Sequence, residues 1–244
     1  MVFRIAVICA VIAMSAAQWF VFCYAPLEAQ MKLAQKIFYY HLPLAWWGLI
    51  SFFAVFAASL AYIKTRNPRW ERLADSAAEI GVVLIGLALV TGSIWAKAAW
   101  WTWWVWDHRL TTTLVMWFIF AGYLVLRGLD MPRERRALIK AVLGVVAFLD
   151  VPLVFFATRL WQSRHPVGIV ASRDGMEPEM RLTLFVCLAA FGIVWAALLY
   201  IRCRIAALED RTNGLTNSPG NLPGNLLGNS SGNSLGNLSG RKPI

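Results

Sequence analysis

The chain has 244 residues, of which 59% are hydrophobic and only 15% are charged, and its formal net charge is +10. A soluble domain carries about 25% charged residues, so the composition excludes an ordinary soluble protein and indicates a polytopic membrane protein. The positive charge then fits basic loops on one side of a membrane better than nucleic-acid binding. The sequence contains no CxxCH and no GxxxxGK[ST], so we expect neither a c-type cytochrome nor, by itself, an ATPase.

Six apolar runs are long enough to cross a membrane. They predict an all-α protein with six transmembrane helices, at about residues 3–23, 43–63, 76–95, 110–126, 141–158 and 182–201. The first run also resembles a signal peptide, because Arg4 precedes it and the small residues Ser15-Ala16-Ala17 lie near its end. Since the run continues to Phe22, beyond a typical signal core, we favour a retained helix.

The distribution of lysine and arginine predicts the orientation of the spans. With both termini on one side, thirteen basic residues up to Arg211 fall in the inner segments and eight in the outer segments. The positive-inside rule therefore places both termini in the cytoplasm and the loop between spans three and four on the outer face. The three histidines, His41, His108 and His165, then all lie on that outer side.

The sequence changes character at its C-terminal end. After Arg211, glycine recurs every fourth residue from Gly220 to Gly240, mostly beside asparagine. Such a composition cannot bury a hydrophobic core. We therefore divide the chain into a membrane domain, residues 1–205, and a flexible cytoplasmic tail, residues 206–244.

The segment from Trp95 to Arg109, WAKAAWWTWWVWDHR, holds six of the 13 tryptophans. One or two tryptophans at each span end suffice for anchoring at a membrane interface, so this aromatic surface suits a large, flat, apolar ligand. Heme is such a ligand, and it needs axial ligands for its iron and cations for its propionates. The candidates are His41 and His165 as axial ligands, Trp100, Trp103, Trp104 and Trp106 as a platform, and Lys97, Arg109, Arg159 and Arg164 as cations.

Several of these residues also have simpler interpretations. A histidine in a loop is more often solvated or a helix cap than a metal ligand. Asp107 precedes the fourth span and is well placed to cap its N-terminus, which is compatible with a second role in the loop. His108 is a third candidate ligand, although a position at the rim is favoured.

Two acidic residues lie within the apolar runs. Asp150 is mid-span, where a carboxylate is costly and marks a functional site by default. Its alternative role is a protonated or paired group at a kink caused by Pro152. Glu79 lies near the cytoplasmic end of span three, where it either extends towards solvent or faces a partner.

Trp100 to Thr111, WWTWWVWDHRLT, resembles the tryptophan-rich "WWD" signature of heme-handling proteins in cytochrome c assembly. Within that superfamily the chain is most similar to cytochrome c maturation protein C, also called heme exporter protein C (CcmC). Further agreement over about residues 1–205 comes from Tyr40-His41-Leu42-Pro43, Asp150-Val151-Pro152-Leu153 and Trp161 to Pro166. The sequence departs from the family pattern where His108 replaces Ala, Trp101 replaces Gly, Ala98 replaces Pro, and Leu160-Trp161 replaces a tryptophan pair.

The resemblance implies that the chain binds heme b (iron protoporphyrin IX) transiently at the periplasmic face of a bacterial inner membrane. Its axial histidines match His41 and His165, with Trp161 and Arg164 as additional site residues. The family loads heme onto a periplasmic heme chaperone for c-type cytochrome maturation, and it works with ABC transporter ATPase and permease subunits and a small single-span accessory protein. We therefore expect contact with membrane lipid and no nucleic-acid partner, and we do not expect an enzyme.

Three other functions fit parts of the pattern. A heme permease subunit of an ABC-type exporter would need a polar path, for which Asp150 and Glu79 are the only intramembrane acids. A structural docking subunit would use the tryptophan-rich loop to bind a protein without heme. A heme redox enzyme is less favoured, because its ligands usually lie on helices, whereas His41 and His165 are predicted to lie in loops.

Overall fold

The computed structural model describes residues 2–29, 31–160 and 176–216. These ranges contain the helices α1 (Val2–Trp19), α2 (Phe38–Thr65), α3 (Pro68–Trp100), α4 (His108–Val125), α5 (Arg133–Ala147), α6 (Asp150–Leu160) and α7 (Pro178–Thr216). A π-helical turn (Phe20–Tyr24) follows α1, and two 3-10 turns lie before α2 (Leu33–Ile37) and after α4 (Leu126–Gly128).

Six helical segments within the described residues are long and apolar enough to cross a membrane, which confirms the predicted six-span all-α fold. The fifth of these segments, Arg133–Val154, contains a break between α5 and α6 at Phe148 and Leu149. Pro152 explains the break, because a proline ring clashes with the carbonyl four residues earlier and removes one helical hydrogen bond. The helix is therefore interrupted close to Pro152, and Asp150 is the first residue of α6.

Helices α2, α3 and α7 are longer than the sequence predicted, and α7 runs from Pro178 to Thr216 where the predicted span is 182–201. Helix α2 begins at Phe38, so His41 lies within a helix, and its predicted position in a loop is wrong. Pro43 lies inside this helix, at its sixth residue, and it therefore removes one helical hydrogen bond, the one to the Tyr39 carbonyl. Helix α3 continues to Trp100 because alanine, the best helix former, occupies three of the four preceding positions. The irregular loop between α3 and α4 is therefore confined to residues 101–107.

The core lies between α2, α3, α4 and α6. Phe52 of α2 and Phe120 of α4 are completely buried, and their rings stack with centroids 3.7 Å apart. Gly81 of α3 lies against this stack, since a Cβ added there would be 2.6 Å from the Phe52 ring. Because Gly81 has no side chain, α2 and α3 approach each other closely. Further along the same two helices, this close approach also brings His41 against α3.

Ion pairs hold the end of the bundle opposite the tryptophan-rich loop. Glu71, Asp75 and Glu79 are spaced by four residues on α3 and therefore share one face. Lys140 of α5, whose side chain is only 3% exposed, lies 3.1 Å from the Glu71 carboxylate and 2.8 Å from that of Asp75. Glu79, for which the sequence left two roles open, pairs with two cations from other elements, Arg127 and Arg202.

The described chain up to Ala207 belongs to one compact unit. The last turns of α7, from Leu208 to Thr216, belong to a second unit and are helical. The predicted tail lies outside the described residues beyond Thr216.

Candidate ligand-binding site

A cavity of about 850 Å³, its open mouth included, lies where α2, α3, α4 and α6 meet the tryptophan-rich loop. Small and apolar residues form much of the lining, as in most small-molecule and cofactor sites. The cavity brings together six of the residues that the sequence selected, His41, Trp100, Trp103, Trp104, Asp107 and Arg109.

His41 is held against α3 by a backbone hydrogen bond. Its Nδ1 lies 3.0 Å from the carbonyl oxygen of Ala88 and 3.3 Å from the hydroxyl of Thr91. Because a carbonyl only accepts, the bond to Ala88 requires Nδ1 to carry the proton, which leaves the ring lone pair on Nε2. A carbonyl partner of this kind is the usual support of a metal-ligating histidine. Gly92 makes room for the ring, since a Cβ there would be 3.0 Å from His41 Cε1.

The tryptophan-rich loop begins with a backbone turn that a large residue rarely adopts. Trp101 follows the end of α3 in the left-handed conformation, with φ 60° and ψ 12°, and its N–H donates to the Lys97 carbonyl at 3.1 Å. A left-handed residue after a helix is usually glycine, which is the residue expected here from the family pattern. Lys97 completes the turn, because its ammonium donates to the Trp101 carbonyl at 3.1 Å and lies 5.9 Å from the Trp103 ring centroid.

The loop ends at a capped helix. Asp107 is the N-cap of α4, and its carboxylate accepts a hydrogen bond from the Leu110 N–H at 2.8 Å. This confirms the capping role that the sequence predicted for it. Two residues later, Arg109 also lines the cavity, so the cap positions a cation at the ligand site.

Several predicted site residues are not part of the described cavity lining. Trp106 is 74% exposed, His108 is exposed at the first position of α4, and neither lines the cavity. Asp150 is also outside the lining, and its Oδ2 is buried without a hydrogen-bond partner among the described residues. The predictions for three further residues fall outside the described ranges, namely Trp161, Arg164 and His165.

The structure adds lining residues that sequence reasoning missed. Ala88, Gly92 and Trp95 all face the cavity from α3. Their spacing of four and three residues places them on one side of a helix. That signal was present in the sequence, since all three residues lie within the predicted third span, but only the tertiary structure shows which side of the helix meets the cavity.

This arrangement suits a flat, apolar ligand that carries a metal and acidic groups. His41 supplies a nitrogen lone pair, the indole rings supply flat apolar surface, and Arg109 supplies a positive charge. Heme iron already has four porphyrin nitrogens, so it needs only axial ligands from the protein. Fold and cavity thus define a polytopic membrane protein with a candidate ligand cavity, lined in part by indole rings, at one end of its helical bundle.

Comparison with known proteins agrees with this class. A profile of the family described as heme exporter protein C matches residues 1–217. The chain therefore belongs to the heme exporter protein C family, as its sequence motifs predicted.

Individual relatives are similar over most of their length. Heme exporter protein C of Bradyrhizobium diazoefficiens is 31% identical over 194 residues, which cover 78% of this chain and 73% of the relative. The Escherichia coli K12 protein of the same name is 29% identical over 78% of both chains. A putative cytochrome c biosynthesis ccmC-like mitochondrial protein of Marchantia polymorpha is 30% identical over 68% of this chain and 71% of the relative. These names describe export and biosynthesis components and not enzymes, in agreement with the sequence expectation.

Proposed function

We propose that this protein binds heme in the cavity and delivers it to a periplasmic heme chaperone for the maturation of c-type cytochromes. The observation that carries the proposal is that His41, three tryptophans of the loop region and Arg109 line a single cavity. The names of its relatives, which refer to heme export and cytochrome c biosynthesis, support the same role. Heme is then a cargo, bound only until it is passed on.

Each cavity residue has a distinct task in this proposal. His41 binds the iron through Nε2, while its Nδ1–H bond to Ala88 holds the ring in place. The indoles of Trp100, Trp103 and Trp104 cover the porphyrin, and Arg109 neutralises a propionate. His165 is the proposed second axial ligand, and Trp161 and Arg164 remain proposed contributors beside it.

Exposed tryptophans of the same loop suit the chaperone. Trp101 is 83% exposed and Trp106 is 74% exposed, and neither of them lines the cavity. Aromatic side chains of this kind are enriched at protein interfaces because they bury a large area and retain a polar N–H group. We therefore assign the inner part of the tryptophan platform to heme and its outer part, with Trp106, to the heme chaperone.

The distribution of basic residues supports a periplasmic position for the loop and a cytoplasmic position for both termini. In this orientation the cavity opens towards the compartment in which heme is attached to cytochrome c. The proposed partners are the chaperone, the ATPase and permease subunits of an ABC transporter, and a small single-span protein. A permease role would instead require a second heme site at the ion-paired end of the bundle.

Absorption spectroscopy tests the heme site directly. The full chain is purified in detergent from heme-replete cells, titrated with hemin, and compared with His41→Ala, His165→Ala and His108→Ala. We expect a Soret band in the wild type that is diminished or shifted in the first two variants and unchanged in His108→Ala. Free imidazole should restore the band in His41→Ala, because it can occupy the space that the ring leaves.

Two results would contradict the proposal in different ways. An unchanged Soret band in both His41→Ala and His165→Ala would refute the axial ligand assignment. A wild type that is colourless as purified, and that leaves the spectrum of added hemin the same as in detergent alone, would favour a docking subunit without heme. Monodisperse elution of each variant shows that a lost band is not caused by unfolding.

A further inference from the structure

An open groove runs between α1 and α7 on the surface of the bundle. Among the described residues, its lining comes from these two helices alone and is apolar apart from Ser15 and Gln18. Ala10 of α1 and Ala197 of α7 belong to this lining, and their side chains are too short to close the space between the helices. Of the six described spans, the one that contains α1 is also the least buried. The groove therefore offers apolar surface that the described chain does not cover.

The groove lies towards the ion-paired end of the bundle. In the other direction the two helices pack together, since Ala17 of α1 and Leu184 of α7 belong to one buried cluster. Gln18 lines the groove next to this cluster, and its side-chain oxygen accepts a hydrogen bond from the Tyr40 hydroxyl at 2.5 Å. Arg202, the residue after the last lining position of α7, takes part in the ion pairs. The groove therefore extends from Gln18 towards the end of the bundle opposite the tryptophan-rich loop.

Two exposed arginines follow the lining at that end of the groove. Arg4 lies three residues before Val7, the first lining residue of α1, and Arg204 lies three residues after Ile201, the last lining residue of α7. Residues three apart lie on the same side of a helix. Neither guanidinium group has a carboxylate partner among the described residues. One end of an apolar groove is thus flanked by two positive charges that the described chain does not neutralise.

We propose that this groove binds an anionic phospholipid, with an acyl chain along the apolar lining and the headgroup phosphate at Arg4 and Arg204. Guanidinium groups bind phosphate through paired, charge-assisted hydrogen bonds, and basic residues at a membrane surface attract anionic lipids. An apolar partner helix would cover the lining but would bring no anion to the two arginines, whereas a phospholipid supplies both parts. The inference is independent of heme binding, because it uses no residue of the candidate heme site.

A comparison of two lipids with identical acyl chains tests the assignment. The full chain is purified in detergent, freed of lipid and titrated with phosphatidylglycerol or phosphatidylcholine, and native mass spectrometry measures the bound lipid. We expect the wild type to bind phosphatidylglycerol more tightly. Arg4→Gln and Arg204→Gln should each lower that affinity about fivefold, the usual effect of one basic residue near an anionic membrane surface. The affinity for phosphatidylcholine should change less, because its choline offsets the phosphate charge.

Matched control variants separate the groove from the rest of the surface. Arg69→Gln and Arg135→Gln remove exposed cations at the same end of the bundle but outside the lining, so they should leave the preference for phosphatidylglycerol as in the wild type. Ala10→Trp fills the groove and should weaken the binding of both lipids. Ala16→Trp adds the same ring to α1 at an exposed position outside the lining and should leave both affinities unchanged.

Three results would refute the inference. Equal affinity of the wild type for the two lipids would do so without any variant, so misfolding of a mutant cannot hide the answer. Equal losses in the groove arginine variants and in their controls would show that the lipid responds only to the overall charge of the surface. If Ala10→Trp releases a single-span protein that copurifies with the wild type and leaves lipid binding intact, the groove binds a partner helix and not a phospholipid.

Discussion

Gly92→Ala is the most specific perturbation of the candidate site. The added methyl group would lie 3.0 Å from His41 Cε1 and 3.4 Å from its Nδ1. Ordinary contacts to a Cβ are longer than the first of these distances, so the imidazole must retreat by a few tenths of an ångström. Gly92 and Ala88 lie on the same helix, one turn apart. A ring pushed away from that helix therefore also moves away from its hydrogen-bond acceptor.

The consequence for ligand binding follows from the lost bond. The Nδ1···O distance to Ala88 begins at 3.0 Å and reaches the limit of a useful hydrogen bond after such a shift. A neutral hydrogen bond contributes about 0.5–1.5 kcal/mol, and supporting residues of a metal ligand typically change affinity by about 10–100-fold. We expect Gly92→Ala to weaken hemin binding about tenfold. Alanine also favours the helix by up to about 1 kcal/mol, so overall stability should not fall in parallel.

Hemin titration and thermal unfolding of the full chain in detergent measure these two effects separately. Gly122→Ala is the control, because a Cβ at this helical position would meet no atom within 4 Å. It reports the helix propensity of alanine without displacing a side chain. Equal hemin affinities in Gly92→Ala and Gly122→Ala would show that the His41 ring does not depend on the space at Gly92, and the ligand geometry would have to be revised.

Substitutions at three further positions test other parts of the structure. Trp101→Gly should raise the free energy of unfolding by about 1 kcal/mol, because a left-handed conformation is costly for any residue with a Cβ; a lower melting temperature would argue against this turn. Lys140→Met leaves the carboxylates of Glu71 and Asp75 without their buried cation and should destabilise the bundle by about 3–5 kcal/mol, whereas an unchanged melting curve would contradict the buried pair. Asp107→Ala should cost about 1 kcal/mol through loss of the α4 cap. Asp107→Asn should retain most of that stability, and equal losses in the two variants would exclude a capping role.

Much of the fold could be predicted from the sequence because transmembrane helices satisfy their backbone locally. A long apolar run in lipid must be helical, whatever its neighbours are. The six spans follow from this constraint, and the cap at Asp107 follows from a similarly local rule. The break near Pro152 is also local, since the proline itself removes the bond and creates the clash.

The ends of the helices and the positions of individual side chains could not be predicted from such local rules. Span three was predicted to end at residue 95, where the apolar pattern weakens, but α3 continues to Trp100. Likewise, the polar and aromatic residues before the apolar run predict a loop at His41, whereas α2 already contains this residue. Composition marks where a chain enters lipid, and a helix can extend well beyond that point.

The sequence by itself determined the class of the protein, its six helices and the residue types from which a heme site is built. Tertiary structure decided which of these residues share a cavity. His41 lies far from the tryptophan-rich loop in sequence and reaches it because Gly92 lets its ring rest on α3. The physical reason for this division is that helix formation depends on neighbours in the chain, whereas a cavity depends on how closely separate helices approach.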